Sequence, residues 1–379
     1  MESITLKAKE QLRVDIIARI MSGEMERRKA CEILKVSLRT IERWVAKYER
    51  VGIYFVKHGN YKRSPINKTP ERTKELVLDL VHEKYFDFNM LHALEKLKSE
   101  GFAIKRETFR KWCHQAKHVK RRHKRRGRAR FRRDRVGSAG VLLQLDGSYH
   151  KWFGDQESCL IAAIDDATNE VPYAEFFESE TTFSCFKVIK KIIEKKGLFK
   201  VLYVDQAGVY GGRKRENFSQ LQRALGDIGI HVIFAQSPEA KGRVERLFGT
   251  LQDRMIPEMR LAGVTNTIQA NEYMQKVFLP HHYQPRFTVE PVNPISSYNK
   301  VLPIYDLDEI FCLKDWRTVA RDHTVSLNGQ RYLIVSPFKD SIYRQSIELR
   351  TYEDGSFKAF FANKEIQLVP IQKIKKTAI

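Results

Sequence analysis

Three acidic residues stand in three separate settings: Asp146 in VLLQLDGS, Asp205 in VLYVDQAG and Glu245 in SPEAKGRVERLFGT. The first two close apolar runs that read as buried strands, and the third lies on a stretch with helical periodicity. Carboxylates are costly near a core unless a cation compensates them, and a divalent metal is the natural partner. Oxygen ligands of this number and charge suit Mg²⁺, which keeps several waters and accepts phosphate oxygens. A pair of such ions can activate an attacking oxygen and stabilise a leaving one at phosphorus, with no general-base histidine required. Taken singly, each acid also reads as a strand-end or helix-surface residue without a metal. Their order along the chain favours the metal site.

Other residues compete for a place in that site. Asp165-Asp166 in AIDDATNEV read as a β-turn, where Asp favours the turn backbone. Asp155 and Glu157 fall in an expected exposed hairpin loop, and His150 and Trp152 suit either a DNA end or ordinary packing. No Walker A sequence is present: Gly208, Gly211 and Gly212 lack the following Lys-Ser/Thr, so no ATP site is expected in this chain.

The elements that must position the acids follow from hydrophobic patterning. Strands are expected at 141–146, 158–165, 171–178, 200–205 and 231–237, and helices at 182–196, 216–225 and 240–255. The order βββαβαβα implies a central α/β core of RNase H-like layout, a mixed five-stranded sheet with flanking helices. In that layout the strands of Asp146 and Asp205 are neighbours, so acids 59 positions apart meet. Glu245 is a further 40 positions on, beside an inward stripe of Val244, Leu247, Phe248 and Leu251. Pro238 marks the entry to its helix, Gly242 leaves room for a nucleic-acid backbone, and Lys241 and Arg243 are expected DNA contacts.

Before the core, residues 25–49 read as a helix, a break at Val36-Ser37 and a second helix, with Ser37 a plausible N-cap. Leu38, Ile41, Trp44 and Val45 form the expected inward stripe. This is a helix-turn-helix layout, whose second helix enters the major groove. VSLRTIERW (36–44) returns 68 positions later as IKRETFRKW (104–112), matching Trp44 to Trp112, so two tandem units are expected. Helix geometry makes Arg39, Thr40 and Arg43 in one unit, and Arg106 and Lys111 in the other, the candidate DNA contacts. The plainer reading is two ordinary helical bundles with core tryptophans. Between Lys117 and Arg135, KHVKRRHKRRGRARFRRDR reads as a DNA-tracking linker, in which Arg121, Arg122, Arg125 and Arg126 would meet phosphates. After the core come a proline-containing connector and short alternating strands from 305 onwards, with hairpin signals at Asn328-Gly329 and Asp354-Gly355. A C-terminal small β-barrel fits.

The expected multidomain plan is thus N-terminal all-α helix-turn-helix units at 1–60 and 61–116, and a basic linker at 117–137. The catalytic core follows at 138–265, a connector at 266–304 and the barrel at 305–379. Composition agrees with a polyanionic partner: 68 Lys+Arg stand against 46 Asp+Glu, a formal +22. Each cation set on a phosphate releases condensed counterions. No apolar run reaches the roughly 18 residues that span a bilayer, and the charged N-terminus is unlike a secretory signal. Five scattered cysteines without a CxxC argue against disulfides or a zinc module and suit a reducing cytosol.

At LDGSYHKWF, YVDQAGVYGG and SPEAKGRVERLFGTLQDR the chain resembles DDE transposases of bacterial insertion sequences, which have a retroviral-integrase-type catalytic core. The third motif is the most specific, and the resemblance extends over roughly residues 25–370. It implies that Asp146, Asp205 and Glu245 bind two Mg²⁺ ions, with Mn²⁺ able to substitute. It further implies that the N-terminal helices recognise terminal inverted repeats, and that a dimer or larger assembly holds element ends and target DNA in a bacterial cytoplasm, at the nucleoid. The chain departs from retroviral integrases in a slightly longer Asp-to-Glu interval and in lacking their His/Cys zinc module. Two other functions share parts of this pattern. One is a non-catalytic regulator with tandem helix-turn-helix units, and the other is an RNase H-like nuclease.

Overall fold

The computed structural model describes residues 5–61, 65, 68–118, 134–205, 214–235, 242–327, 329–335 and 341–371, with only the backbone described at 205, 214–219 and 235. The chain divides into two compact units, Met1–Leu76 and Val77–Ile379.

The first unit packs α1 (Ala8–Met21), α2 (Arg27–Leu34) and α3 (Leu38–Val51) around Val14, Ile17, Ala30, Ile41, Val45 and Phe55. The break falls where the sequence placed it: Lys35 turns into the left-handed region and Ser37 is extended at the N-cap position. Ser37 makes no capping bond to the helix backbone; its hydroxyl lies 3.0 Å from that of Thr40. Leu38 does not join the inward stripe. It is 42% exposed, because the first residue of α3 precedes the turn that reaches the core. Trp44 is half-buried, with the Arg13 guanidinium 5.0 Å from its ring centre, a cation–π arrangement.

α4 (Glu71–Glu83) contains the boundary between the units. It is followed by α5 (Met90–Ser99), capped by the Asn89 side chain, and α6 (Arg106–Gln115). Val77, Leu94, Leu97, Phe109 and Trp112 form the core of this second bundle. α6 begins 68 positions after α3, in step with the sequence repeat.

The central sheet has strand order β3-β2-β1-β4-β5. β1 (Leu142–His150), β2 (Ser158–Asp165) and β3 (Ala174–Phe177) are antiparallel; β4 (Val201–Asp205) and β5 (His231–Ala235) add in parallel. β2 is buried along its whole length, which explains its unbroken apolar reading. α7 (Thr182–Lys196), held at its start by a Thr181–Ser184 capping box, packs with α8 (Lys214–Gly226) on one face of the sheet. α9 (Gly242–Leu261) packs on the other. This is the mixed five-stranded sheet with flanking helices that the element order implied.

The segment read as a connector is more structured than its prolines suggested. α10 (Thr267–Tyr273), a wide-turned helical stretch Met274–Tyr283 and α11 (Gln284–Phe287) follow one another, and Ala270, Met274, Phe278 and Tyr283 complete the core beneath α9. An extended strap then crosses the domain. Its backbone bonds run from Asn293 to Gly137, from Ser297 to Ala139 and between Asn299 and Leu198. Gly197 (φ +102) permits the last approach: a Cβ there would lie 2.3 Å from the Asn299 carbonyl oxygen.

Beyond α12 (Leu307–Ile310) lies an antiparallel six-stranded sheet in the order β6-β9-β10-β11-β8-β7. Its strands are β6 (Leu313–Thr318), β7 (Thr324–Leu327), β8 (Gln330–Val335), β9 (Ser346–Thr351), β10 (Phe357–Phe361) and β11 (Lys364–Pro370). The end strands β6 and β7 approach each other, giving a nearly closed barrel. Gly329 and Gly355 sit in both expected hairpins at positive φ; Asn328 lies outside the described residues. Glu309 on α12 joins the barrel to the core, accepting from Arg350 at 2.8 Å, Tyr352 at 2.8 Å and Lys358 at 3.2 Å. Burial alone would raise its pKa, but these donors outweigh that and hold the carboxyl down to about 2.

Two consequences are measurable. Gly197→Ala forces a side chain into a strained backbone region and against a carbonyl, so urea unfolding should show a loss of at least about 1–3 kcal/mol. Glu309 stabilises the fold above its ordinary carboxyl range, and that contribution drains away as pH falls towards its depressed folded value of about 2. The wild-type urea midpoint should therefore fall more steeply between about pH 5 and pH 2 than that of Glu309→Gln. Parallel pH profiles would show the staple to be unimportant.

Candidate active site

Asp146 lies within β1, paired with Ala162 of β2, and not at the strand end where its apolar run stops. The ladder outlasts the apolar run because β2 continues beside it, as far as the pair His150↔Ser158. The parallel neighbour β4 does end at Asp205. Its pairs Leu142↔Val201, Leu143↔Leu202 and Gln144↔Tyr203 hold a constant offset of 59, which, carried two residues on, sets position 205 beside position 146. Leu143, Leu145, Leu202 and Val204 belong to the core under α7 and α8. Strand alternation therefore gives Gln144, Asp146, Tyr203 and position 205 to the face covered by α9.

α9 is keyed onto that face at two points. The Val244 amide donates to Gln144 Oε1 at 3.3 Å, and Gln252 Nε2 donates to Ser148 Oγ at 3.3 Å. Eight helical residues rise about 12 Å and four strand residues about 13 Å, so helix and strand run side by side between these anchors. Asp146 lies midway along the strand segment. Val244, Leu247, Phe248 and Leu251 are buried as expected, and Glu245 is exposed at the Gln144 end. Among the described residues no group of three or more His, Cys, Asp or Glu is placed to hold a metal; the Asp205 side chain is not among them. Carboxylate oxygens are the donor type that a hard divalent cation takes; here positions 146 and 205 share one level of adjacent strands, and Glu245 lies exposed on α9, which packs on β1 and β2.

The other face of β1 carries an acid that the sequence does not single out. Glu180, just before α7, lays its carboxylate over Gly147, where a Cβ would come 2.7 Å from it. Its backbone N–H donates to the Tyr149 hydroxyl at 2.9 Å. Burial first, then the Glu180 charge, push the nearby Cys159 thiol up to about 12. No local pattern marks ESE as anything but a solvated turn.

Asp165 and Asp166 are fully buried. Asp165 accepts from the backbone N–H of Ala167 at 2.9 Å and Thr168 at 3.3 Å, as a turn residue should, and from Gly140 at 2.7 Å. Desolvation raises its pKa. Asp166 accepts instead from Arg243 at 2.7 Å, Gln144 at 3.0 Å and the Val136 amide at 3.0 Å. Arg243, expected on DNA, thus has a buried carboxylate as partner. Asp155 and Glu157 are exposed as expected. Trp152 takes its packing role: fully buried, it donates to the Ser148 carbonyl at 3.1 Å and meets Phe176 edge-on at 5.7 Å. His150 is half-buried beside it. Arg39, Arg43, Arg106 and Lys111 are exposed and Thr40 is half-buried. Arg121, Arg122, Arg125, Arg126, Lys241, Pro238 and the glycines at 208, 211 and 212 lie outside the described residues.

No family model matches the chain. Among curated proteins it is similar to y4bF of Sinorhizobium fredii, named as a transposase, with 28% identity over 364 residues, 93% of this chain and 79% of that one. It is also similar to the transposase for insertion sequence IS1202 of Streptococcus pneumoniae, with 29% identity over 301 residues. That match covers 68% of this chain, which spans 64% of the relative's length. The resemblance to transposases of insertion sequences therefore holds over most of the chain. Solved structures with some likeness include the HTLV-2 integrase catalytic core domain in complex with magnesium (15% identity, TM-score 0.29, 36% of this chain and 82% of that one). Another is a simian T-cell lymphotropic virus intasome in complex with PP2A regulatory subunit B56 gamma (16%, TM-score 0.34, 73% and 91%). Scores this low add nothing to the topology described above.

If Trp152 packs as described, Trp152→Ala should cost about 3–5 kcal/mol in urea unfolding. A loss below about 1 kcal/mol would return the ring to the list of DNA contacts.

Proposed function

We propose that this chain is a DNA transposase that binds the terminal inverted repeats of a mobile element and carries out Mg²⁺-dependent 3′-end cleavage and strand transfer. One observation supports the reading: the β1–β4 register, carried two residues past Gln144↔Tyr203, puts positions 146 and 205 level on the sheet face against which α9, the helix of Glu245, packs. Asp146, Asp205 and Glu245 are the residues that would hold the metal, two ions in the full site, with Mn²⁺ as a substitute. When bound, such ions supply Lewis-acid activation of the attacking oxygen and charge stabilisation of the leaving one. The chain's own part is to fix three carboxylates on rigid elements and to orient the DNA.

The same site would serve two phosphoryl transfers: hydrolysis at the element end, then attack of the freed 3′-hydroxyl on target DNA. Neither needs a covalent enzyme intermediate. The exposed arginines of α3 in the first unit, those of α6 in the second and the basic sequence of 117–137 would each offer cations to duplex DNA, in keeping with the formal +22. Held ends come in pairs, so the working form is a dimer or larger assembly on DNA. Among the described residues no helix is long and apolar enough to cross a membrane, and the site of action would be the bacterial nucleoid.

Asp146→Asn, Asp205→Asn and Glu245→Gln should each lower end cleavage and strand transfer by more than about 100-fold. Gel-shift affinity for an end-containing duplex should be unchanged. If two of the three variants kept near-normal strand transfer in Mg²⁺, the proposal would fail.

A further inference from the structure

We propose that Asp166 is a positioning residue that fixes the register of the acid-bearing helix against the acid-bearing strand. The inference rests on the active-site reading above. A turn at 165–168 needs one aspartate, and Asp165 already satisfies its amides at Ala167 and Thr168. The Asp166 carboxylate bonds instead to Val136, Gln144 and Arg243, and it is fully buried, a costly placement unless its partners are well set.

Those partners come from three separate segments. Val136 leads out of the basic stretch, Gln144 lies on β1 two residues before Asp146, and Arg243 lies on α9 two residues before Glu245. Gln144 is itself buried and is used at both ends of its amide: Nε2 donates to Asp166 at 3.0 Å and Oε1 accepts from the Val244 amide at 3.3 Å. Turning that amide over would set donor against donor, so its orientation is fixed. Val244 is in the first turn of α9, where backbone N–H groups have no partner within the helix. Asp166, through Gln144 and Arg243, therefore decides where α9 begins along β1. The Arg135 guanidinium closes the other side, donating to the Asp166 carbonyl at 3.0 Å and to Asn169 at 2.9 Å. A shift in the first turn of α9 would move Glu245 relative to Asp146.

The test uses the full chain carrying Asp166→Asn or Gln144→Met. Asn keeps the shape but replaces one accepting oxygen with a donor; Met keeps the length and removes both amide contacts. Circular dichroism and urea unfolding establish that a variant is folded, and gel shift follows the end-containing duplex. Mn²⁺ affinity is read by electron paramagnetic resonance on the protein alone, and kcat and KM are taken from strand transfer. Folded variants should bind DNA as wild type does, bind Mn²⁺ about 10-fold more weakly and lose about 10- to 100-fold in kcat at unchanged KM. If Asp166→Asn does not fold, the Gln144→Met result decides. A folded variant whose Mn²⁺ affinity and kcat both stay at wild-type values overturns the positioning role. If instead Asp146→Asn binds Mn²⁺ as tightly as wild type, the underlying site assignment fails.

Discussion

The parallel pairing of β1 with β4 is the constraint on which the rest depends. A slip by one residue would turn position 205 to the opposite face of the sheet, into the core beneath α7 and α8. Nothing in the two aspartates themselves prevents such a slip. The apolar residues alternating with them do: Leu143, Leu145, Leu202 and Val204 are all buried on the other face. The hydrophobic core thus sets the register, and the acids inherit their placement from it. This is also why a carboxylate strand can sit inside an otherwise apolar sheet at modest cost, since only one face carries the charge.

α9 connects this site to the second helical bundle. Its twenty residues span about 30 Å, with Glu245 in the first turn and Glu258 near the end. Glu258 is buried between His92 at 2.7 Å and Lys96 at 2.6 Å on α5. Burial alone would raise its pKa, but bonds from His92 and Lys96 outweigh that and hold it below the ordinary range. Arg254 with Glu95 and Arg260 with Asp87 add two more pairs along the same contact, and Leu261 packs on the bundle core. Breaking a buried pair by removing one partner leaves an uncompensated charge, worth about 3–5 kcal/mol. The bundle 77–116 is therefore tied to α9, the helix that carries Glu245.

Much of this was legible beforehand because it is local. β2 and α7 match their expected bounds, 158–165 and 182–196, because an unbroken apolar run and a helical period mark them. Periodicity marks Asp146 as a strand end because it reports side chains, whereas the ladder beyond it is sustained by the backbone of β2. Helical spacing alone turns Leu38 inward, because spacing is blind to where the opposing helices stop. The prolines of 266–304 suggest a connector, although Met274, Phe278 and Tyr283 carry the core spacing of a helix. The turn at Ala362-Asn363, both at positive φ, has no glycine to announce it. Glu180 and the second role of Asp166 are tertiary facts: each is defined by a partner more than twenty positions away.

The charge distribution resolves an apparent conflict in the proposed function. A site built from carboxylates repels phosphodiesters, and a distant excess of cations would do little once screened beyond about 8–10 Å. The described end of the basic segment answers this directly. Arg135 and Val136 are fastened to the Asp166–Asn169 turn, and the following residues, through Ala139, are bonded to the strap. The segment that carries the densest run of arginines thus departs from the same turn whose aspartate orients Gln144 and Arg243. Arg135, the described end of that run, is thereby held on the turn whose Asp166 carboxylate also accepts from Gln144 on the strand of Asp146 and from Arg243 on the helix of Glu245.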